Sequence, residues 1–162
     1  MPLTDVDPIE ATVEIAAPPA VVWSLVSDLR NMRRWSPQTL RSIPRRGENG
    51  LGAHYLNLNR KGLLVWPTRS KVVRFTDGVE IAWRVKDNYT IWSLRLEPTP
   101  DGGTRVVQTR EAPDGISDIS VNLTRVAFGG VANFTRTLQA DMGRTLGRIK
   151  ADAEQVAQQA AQ

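Results

Sequence analysis

The spacing of apolar side chains changes once along this chain. Up to about residue 112 it runs mostly at every second position, as in strands, with one early helical interruption; beyond Pro113 it recurs about every 3.6 positions. Residues 10–16 alternate, with Ala11, Val13 and Ile15 on one face and Glu10, Thr12 and Glu14 on the other. That pattern predicts a half-buried strand. Pro18 and Pro19 end it and suit the first turn of a helix, where the missing N–H would have no partner anyway. Val22, Leu25, Val26 and Leu29 then follow at i, i+3, i+4 and i+7, a short amphipathic helix. Another helical turn is expected over residues 31–35, ending by Ser36 because Pro37 pushes the residue before it out of the α region.

The middle of the chain reads as a series of strands. Residues 40–45 are short and interrupted by Pro44, which predicts an edge strand. After a loop at 47–52, residues 53–59 alternate, and His54, Leu56 and Leu58 are expected on the inner face. A turn at 60–62 leads to a long strand over 65–75, and Thr76-Asp77-Gly78 is a hairpin signal. Residues 79–86 group Ile81, Trp83 and Val85; residues 89–97 group Trp92, Leu94 and Leu96. Pro98 to Gly103, PTPDGG, is the strongest turn signal in the chain, followed by a last strand over 104–112. If Thr104 and Val106 face inward there, so do Gln108 and Arg110.

Past Pro113 a less regular segment, residues 116–128, reads as a helical lead-in, and Gly129-Gly130 as a kink. Val131, Phe134, Leu138, Met142, Leu146, Ile149, Ala153 and Val156 then share one stripe of a helix of roughly 25–30 residues. Residues 1–8 are read as a tail and 155–162 as a frayed Ala/Gln end. An antiparallel sheet cannot leave its apolar face wet, and the last helix is the only element large enough to cover it. The expectation is therefore one α+β domain over residues 1–162: a curved antiparallel sheet wrapped around a long C-terminal helix, with two short helices after the first strand.

Composition narrows the chemistry. With no cysteine, disulfides, iron–sulfur clusters and thiolate zinc sites are excluded, and with His54 as the single histidine so is a histidine-rich metal site. No G-x-S-x-G, P-loop or dinucleotide fingerprint is present, so no cofactor is expected. The N-terminus carries Asp5 and no apolar run, and no stretch is long and apolar enough for a membrane span; a cytoplasmic setting is expected. The net charge of +4 arises from 21 basic and 17 acidic residues. Their interleaving argues against a nucleic-acid surface and for a basic rim that attracts an anionic ligand or an anionic membrane. Monomer and homodimer both stay open.

Three segments together resemble the START-like, or SRPBCC, superfamily: VEIAAPPAVVWSLVSDLRNMRRWSP (residues 13–37), LEPTPDGGTRVV (96–107) and LGRIKADAE (146–154). The resemblance covers nearly the whole chain in the right order. It implies the helix-grip fold, in which the space between sheet and helix is filled either by side chains or by a ligand. It is specific for fold and not for function, because that superfamily carries cyclases, hydrolases, transfer proteins and receptors on one scaffold.

Candidate site residues follow from which face each strand presents. Trp66, Trp83 and Trp92 are expected on the inner face of successive strands, as the walls of an apolar cavity or as core. Phe134, Leu138 and Met142 would face them from the long helix, and Trp35 is expected either at the mouth or as a wedge between the small helix and the sheet. Gln108 and Arg110 form the polar end, since an inward arginine needs a partner, water or an anion; Asp118 or an acidic residue of the adjoining strand would be the internal partner. His54 and Arg110 are the candidate catalytic groups, His54 as a titratable group near the cavity. Three functions are consistent with this set: a binder or carrier for a lipid, isoprenoid or polyketide; a polyketide cyclase/dehydratase-type enzyme, which the resemblance suggests; and an interaction module with a filled core.

Overall fold

A computed structural model of the chain describes residues 6–117 and 131–162. Its strands are β1 (Ile9–Ile15), β2 (Thr39–Pro44), β3 (His54–Lys61), β4 (Leu64–Thr76), β5 (Glu80–Val85), β6 (Ile91–Pro98) and β7 (Thr104–Glu111). The helices are α1 (Pro19–Val26), a 3-10 turn (Leu29–Asn31), α2 (Met32–Trp35) and α3 (Val131–Ala160). All seven strands join one antiparallel sheet in the order β1-β7-β6-β5-β4-β3-β2. Strands β2 to β7 meander, each pairing with the next, and β1 closes the far side against β7. This is the helix-grip architecture.

Local chemistry accounts for the curvature and the turns. Register shifts interrupt the β2–β3 pairing between Thr39 and Arg41 and the β4–β5 pairing between Val72 and Arg74, and such bulges bend a strand and increase its twist. In the β6–β7 hairpin Gly102 adopts φ +84°, and a Cβ on Gly103 would lie 2.6 Å from the Ile15 carbonyl oxygen. Only glycine lets this loop lie against the end of β1. Pro67 is tolerated within β4 because β5 pairs with β4 only from Ser70 onward, so the first half of β4 has an open side.

The core divides along α3. Leu146, Ile149 and Ala153 of its C-terminal half pack with Ile15, Trp23, Val72, Ile81, Leu94 and Val106. Leu138 and Met142 of its N-terminal half meet Ile9, with Trp92 and Phe134 beside them. Polar clips fix the dry end: Glu154 accepts from the Ala16 N–H at 3.0 Å, and Lys150 donates to the Glu14 carbonyl at 2.9 Å. The helix continues to Ala160, where a frayed end is expected from residue 155. Alanine and glutamine are good helix formers, and Ala157 still packs on the core, although Val156 is exposed. The expected lead-in beyond Ser117 and the Gly129-Gly130 kink lie outside the described residues.

Two assignments need correction. His54, Leu56 and Leu58 face outward; Tyr55, Asn57 and Asn59 face inward. Because the side-chain period of a strand is two, choosing the other phase turns every residue over, and the leucines had decided the phase. Trp35 is not at a mouth. It is 1 % exposed, and its indole N–H donates to Asp152 Oδ2 on α3 at 2.7 Å, fastening α2 to the long helix. Arg34 completes that clip with an ion pair to the same carboxylate oxygen at 2.9 Å.

Candidate ligand cavity

Between the N-terminal half of α3 and the concave face of the sheet lies a cavity of about 170 Å³. Among the described residues this space is not filled by side chains. One side is aromatic and aliphatic. Trp83 and Trp92 are direct cross-strand partners on β5 and β6, Trp66 follows on β4, and Phe134, Leu138 and Met142 face them from α3. Leu29 and Met32 close this side from the 3-10 turn and α2.

The opposite side is a ladder of amides and hydroxyls across β2, β3 and β4. Ser42 Oγ donates to Asn57 Oδ1 at 2.8 Å, and Asn57 Nδ2 donates to Ser70 Oγ at 3.0 Å. One step along the strands, Asn59 Nδ2 donates to Thr68 Oγ1 at 3.0 Å. These groups satisfy one another within the sheet and still present lone pairs and hydroxyl protons to the cavity. Gln38 and Asp141 bound the same space, joined by a 2.7 Å bond from Gln38 Nε2 to Asp141 Oδ2; Arg144 holds the other oxygen at 3.2 Å.

Gln108 and Arg110 stand at the end of β7. Register places Arg110 opposite Trp92 and Gln108 opposite Leu94. Both are buried, and both line the cavity. Gln108 Oε1 has no hydrogen-bond partner among the described residues. Arg110 makes no hydrogen bond or ion pair among the described residues; its guanidinium carbon lies 5.4 Å from the centre of the Phe134 ring, a cation–π contact. Burial lowers its guanidinium from the ordinary arginine value to about 10, which leaves it charged near neutral pH. No acidic residue of an adjoining strand pairs with Arg110 among the described residues: its cross-strand neighbours are Ile9 on β1 and Trp92 on β6, and Asp118 lies outside the described residues.

Of the residues singled out from sequence, Trp66, Trp83, Trp92, Gln108, Arg110, Phe134, Leu138 and Met142 are brought together around this cavity. Trp35 and His54 are not. His54 lies on the outer face, where its backbone N–H (3.0 Å) and ring Nδ1 (3.2 Å) meet Glu48 Oε2. Those contacts, the backbone N–H first, hold the Glu48 carboxyl below the usual range. A role for His54 as a base at the cavity is therefore withdrawn. Sequence reasoning missed the polar ladder. Its signal was present, since Asn57 and Asn59 are in phase with Tyr55, and Thr68 and Ser70 are in phase with Trp66.

A curved antiparallel sheet gripping one long helix defines the helix-grip class of folds. The chain belongs to the polyketide cyclase / dehydrase and lipid transport family, whose model matches residues 8–154. A search of curated proteins gives no match. Among solved structures, it resembles the di-domain ARO/CYC StfQ from the steffimycin biosynthetic pathway, at 16% identity and a TM-score of 0.69 over 93% of this chain. The chain spans about half of that protein, 51%. It resembles KanY at 16% identity and a TM-score of 0.67, covering 93% of this chain and 99% of the other. The Polyketide_cyc-like protein Cgl2372 from Corynebacterium glutamicum is 27% identical, with a TM-score of 0.56 and 88% coverage of both chains. No helix among the described residues is long and apolar enough to cross a membrane.

Proposed function

We propose that the cavity binds a small amphipathic molecule carrying a carboxylate or carbonyl, with that group held by Arg110 and Gln108. The observation that carries this reading is the buried Arg110, without a counter-ion among the described residues, beside the amide oxygen of Gln108, which has no partner among them either. An isolated buried cation is costly in a folded protein, and an anionic ligand offsets that cost while gaining a charge-assisted bond. The tryptophan side then takes the apolar body of the ligand, and the ladder of Asn57, Asn59 and Ser70 takes further oxygens along one edge. That ladder favours an oxygen-rich, polyketide-like molecule over a plain hydrocarbon tail. The family and the lack of cysteine accord with a carrier working in a reducing, cytoplasmic setting.

The polar ladder also supports a cyclase-type reading. A wall of hydrogen-bonding groups holds a poly-β-ketone in one folded pose, and Arg110 polarises a carbonyl within it. Binding and turnover separate the two. Tryptophan fluorescence and native mass spectrometry, across a panel of aromatic and aliphatic carboxylic acids and their methyl esters, test the carrier. Preference for the free acids that disappears in Arg110→Met supports it; no binding by any member refutes it. Conversion of a poly-β-ketone to a cyclised product, lost in the same variant, would favour the enzyme.

A further inference from the structure

The β3–β4 hairpin extends beyond the rest of the sheet. On one side β2 pairs with β3 only as far as Asn59, and on the other β5 pairs with β4 only from Ser70 onward. Residues 60–67 thus form a two-stranded finger with no neighbouring strand on either side among the described residues. Its tip is Leu63-Leu64-Val65, and Leu63 is 98 % exposed. Three consecutive exposed aliphatic residues at a projecting turn are a cost in water that an isolated surface leucine is not.

The base of the finger is cationic. Arg60 and Lys61 flank the tip and share an open groove with Arg144 of α3, which is paired there with Asp141 at 3.2 Å. On the outer face of the same strands Arg41 stands opposite Leu58, and Arg69, paired with Asp87 at 3.2 Å, stands opposite Leu56. An apolar tip ringed by basic side chains matches the profile of a bilayer of anionic lipid, with headgroups outside and acyl chains within. A second copy of the chain would bring the same cations against each other. The finger also walls the cavity through Trp66, with Asn59 at its base.

We propose that the β3–β4 hairpin docks this protein onto anionic membrane surfaces, with Leu63, Leu64 and Val65 entering the acyl boundary and Arg60 and Lys61 meeting lipid phosphates and carboxylates. Docking there sets a finger that walls the cavity against the phase in which an amphipathic ligand dissolves.

Flotation with phosphatidylcholine vesicles, with and without about 30% phosphatidylserine, tests this on the full chain without any cavity ligand. The expected result is partitioning onto the anionic vesicles at least about tenfold above the neutral ones, weakened by salt. Leu63→Ser with Leu64→Ser is expected to weaken it about tenfold or more, with Tm unchanged because neither side chain belongs to the core. Arg60→Gln and Lys61→Gln are each expected to cost roughly fivefold. Absence of anionic-lipid dependence would overturn the proposal. So would partitioning indifferent to Leu63 and Leu64, or a dimer in solution that the tip substitutions dissociate. Because Arg110→Met leaves the finger untouched, vesicle binding retained in that variant keeps this test separate from the cavity reading.

Discussion

Replacing Arg110 by methionine probes the cavity most directly, because stability and affinity should move in opposite directions. Methionine keeps the apolar stem and removes the charge. Arg110 is 5 % exposed, has no counter-ion among the described residues, and is lowered by burial from the ordinary arginine value to about 10. At about 1.4 kcal/mol for each tenfold change in acidity, keeping that guanidinium charged in the free protein costs about 3 kcal/mol. The sign follows from the depressed value: the cost is fully present below about 10 and is released only as pH rises through it. Arg110→Met therefore raises the Tm of the free protein, with a ceiling of roughly 6–12 °C for a chain of this size. The same change removes a charge-assisted bond of about 1.5–3 kcal/mol, so affinity for a carboxylate ligand falls roughly 10- to 150-fold. Affinity for its methyl ester changes little. Differential scanning calorimetry and tryptophan titration measure the two effects, and His54→Ala, on the outer face, is the unaffected control. A lower Tm in the free variant, together with undiminished preference for the acid, would refute the assignment of Arg110 as an unpaired anion anchor.

Other expectations follow from the same geometry. Asn57→Leu breaks the Ser42–Asn57–Ser70 ladder and should weaken oxygen-rich ligands about tenfold while sparing hydrocarbon-like ones, measured by calorimetric titration. Trp35→Phe removes the bond to Asp152 and should lower stability by about 1–3 kcal/mol in denaturant melts, without changing ligand affinity, since Trp35 does not line the cavity. Glu154 is held below its ordinary 4.5 by the Lys150 ammonium first and by the Ala16 N–H. Its contribution is present above that ordinary value and is lost as pH falls through the lowered one. Glu154→Gln should thus lower Tm near neutral pH and flatten its decline in acid; an unchanged acid profile would count against the clip between α3 and β1.

The order of elements could be read from the chain because it rests on local rules. Pro18-Pro19, the alternation along the strands, PTPDGG and the 3.6-residue stripe after Pro113 each act within a few residues of themselves. The inner placement of Trp83, Trp92, Gln108 and Arg110 could be read for the same reason, since their strands alternate unambiguously. On β3 the rule failed. Leucines and asparagines alternate there, and hydrophobicity alone sends the leucines inward. The fold sends Asn57 and Asn59 inward because Ser42, Thr68 and Ser70 on neighbouring strands satisfy them, a condition that exists only after pairing. The length of the strands relative to their neighbours, which leaves Leu63 in the open, is likewise a property of the sheet and not of any segment. Residue types and local periods thus determined the elements and most of the inward residues. Tertiary pairing decided which side of the cavity is polar, that Trp35 is a fastener, and that Arg110 stands without a counter-charge among the described residues, because each of these depends on what arrives from distant parts of the chain.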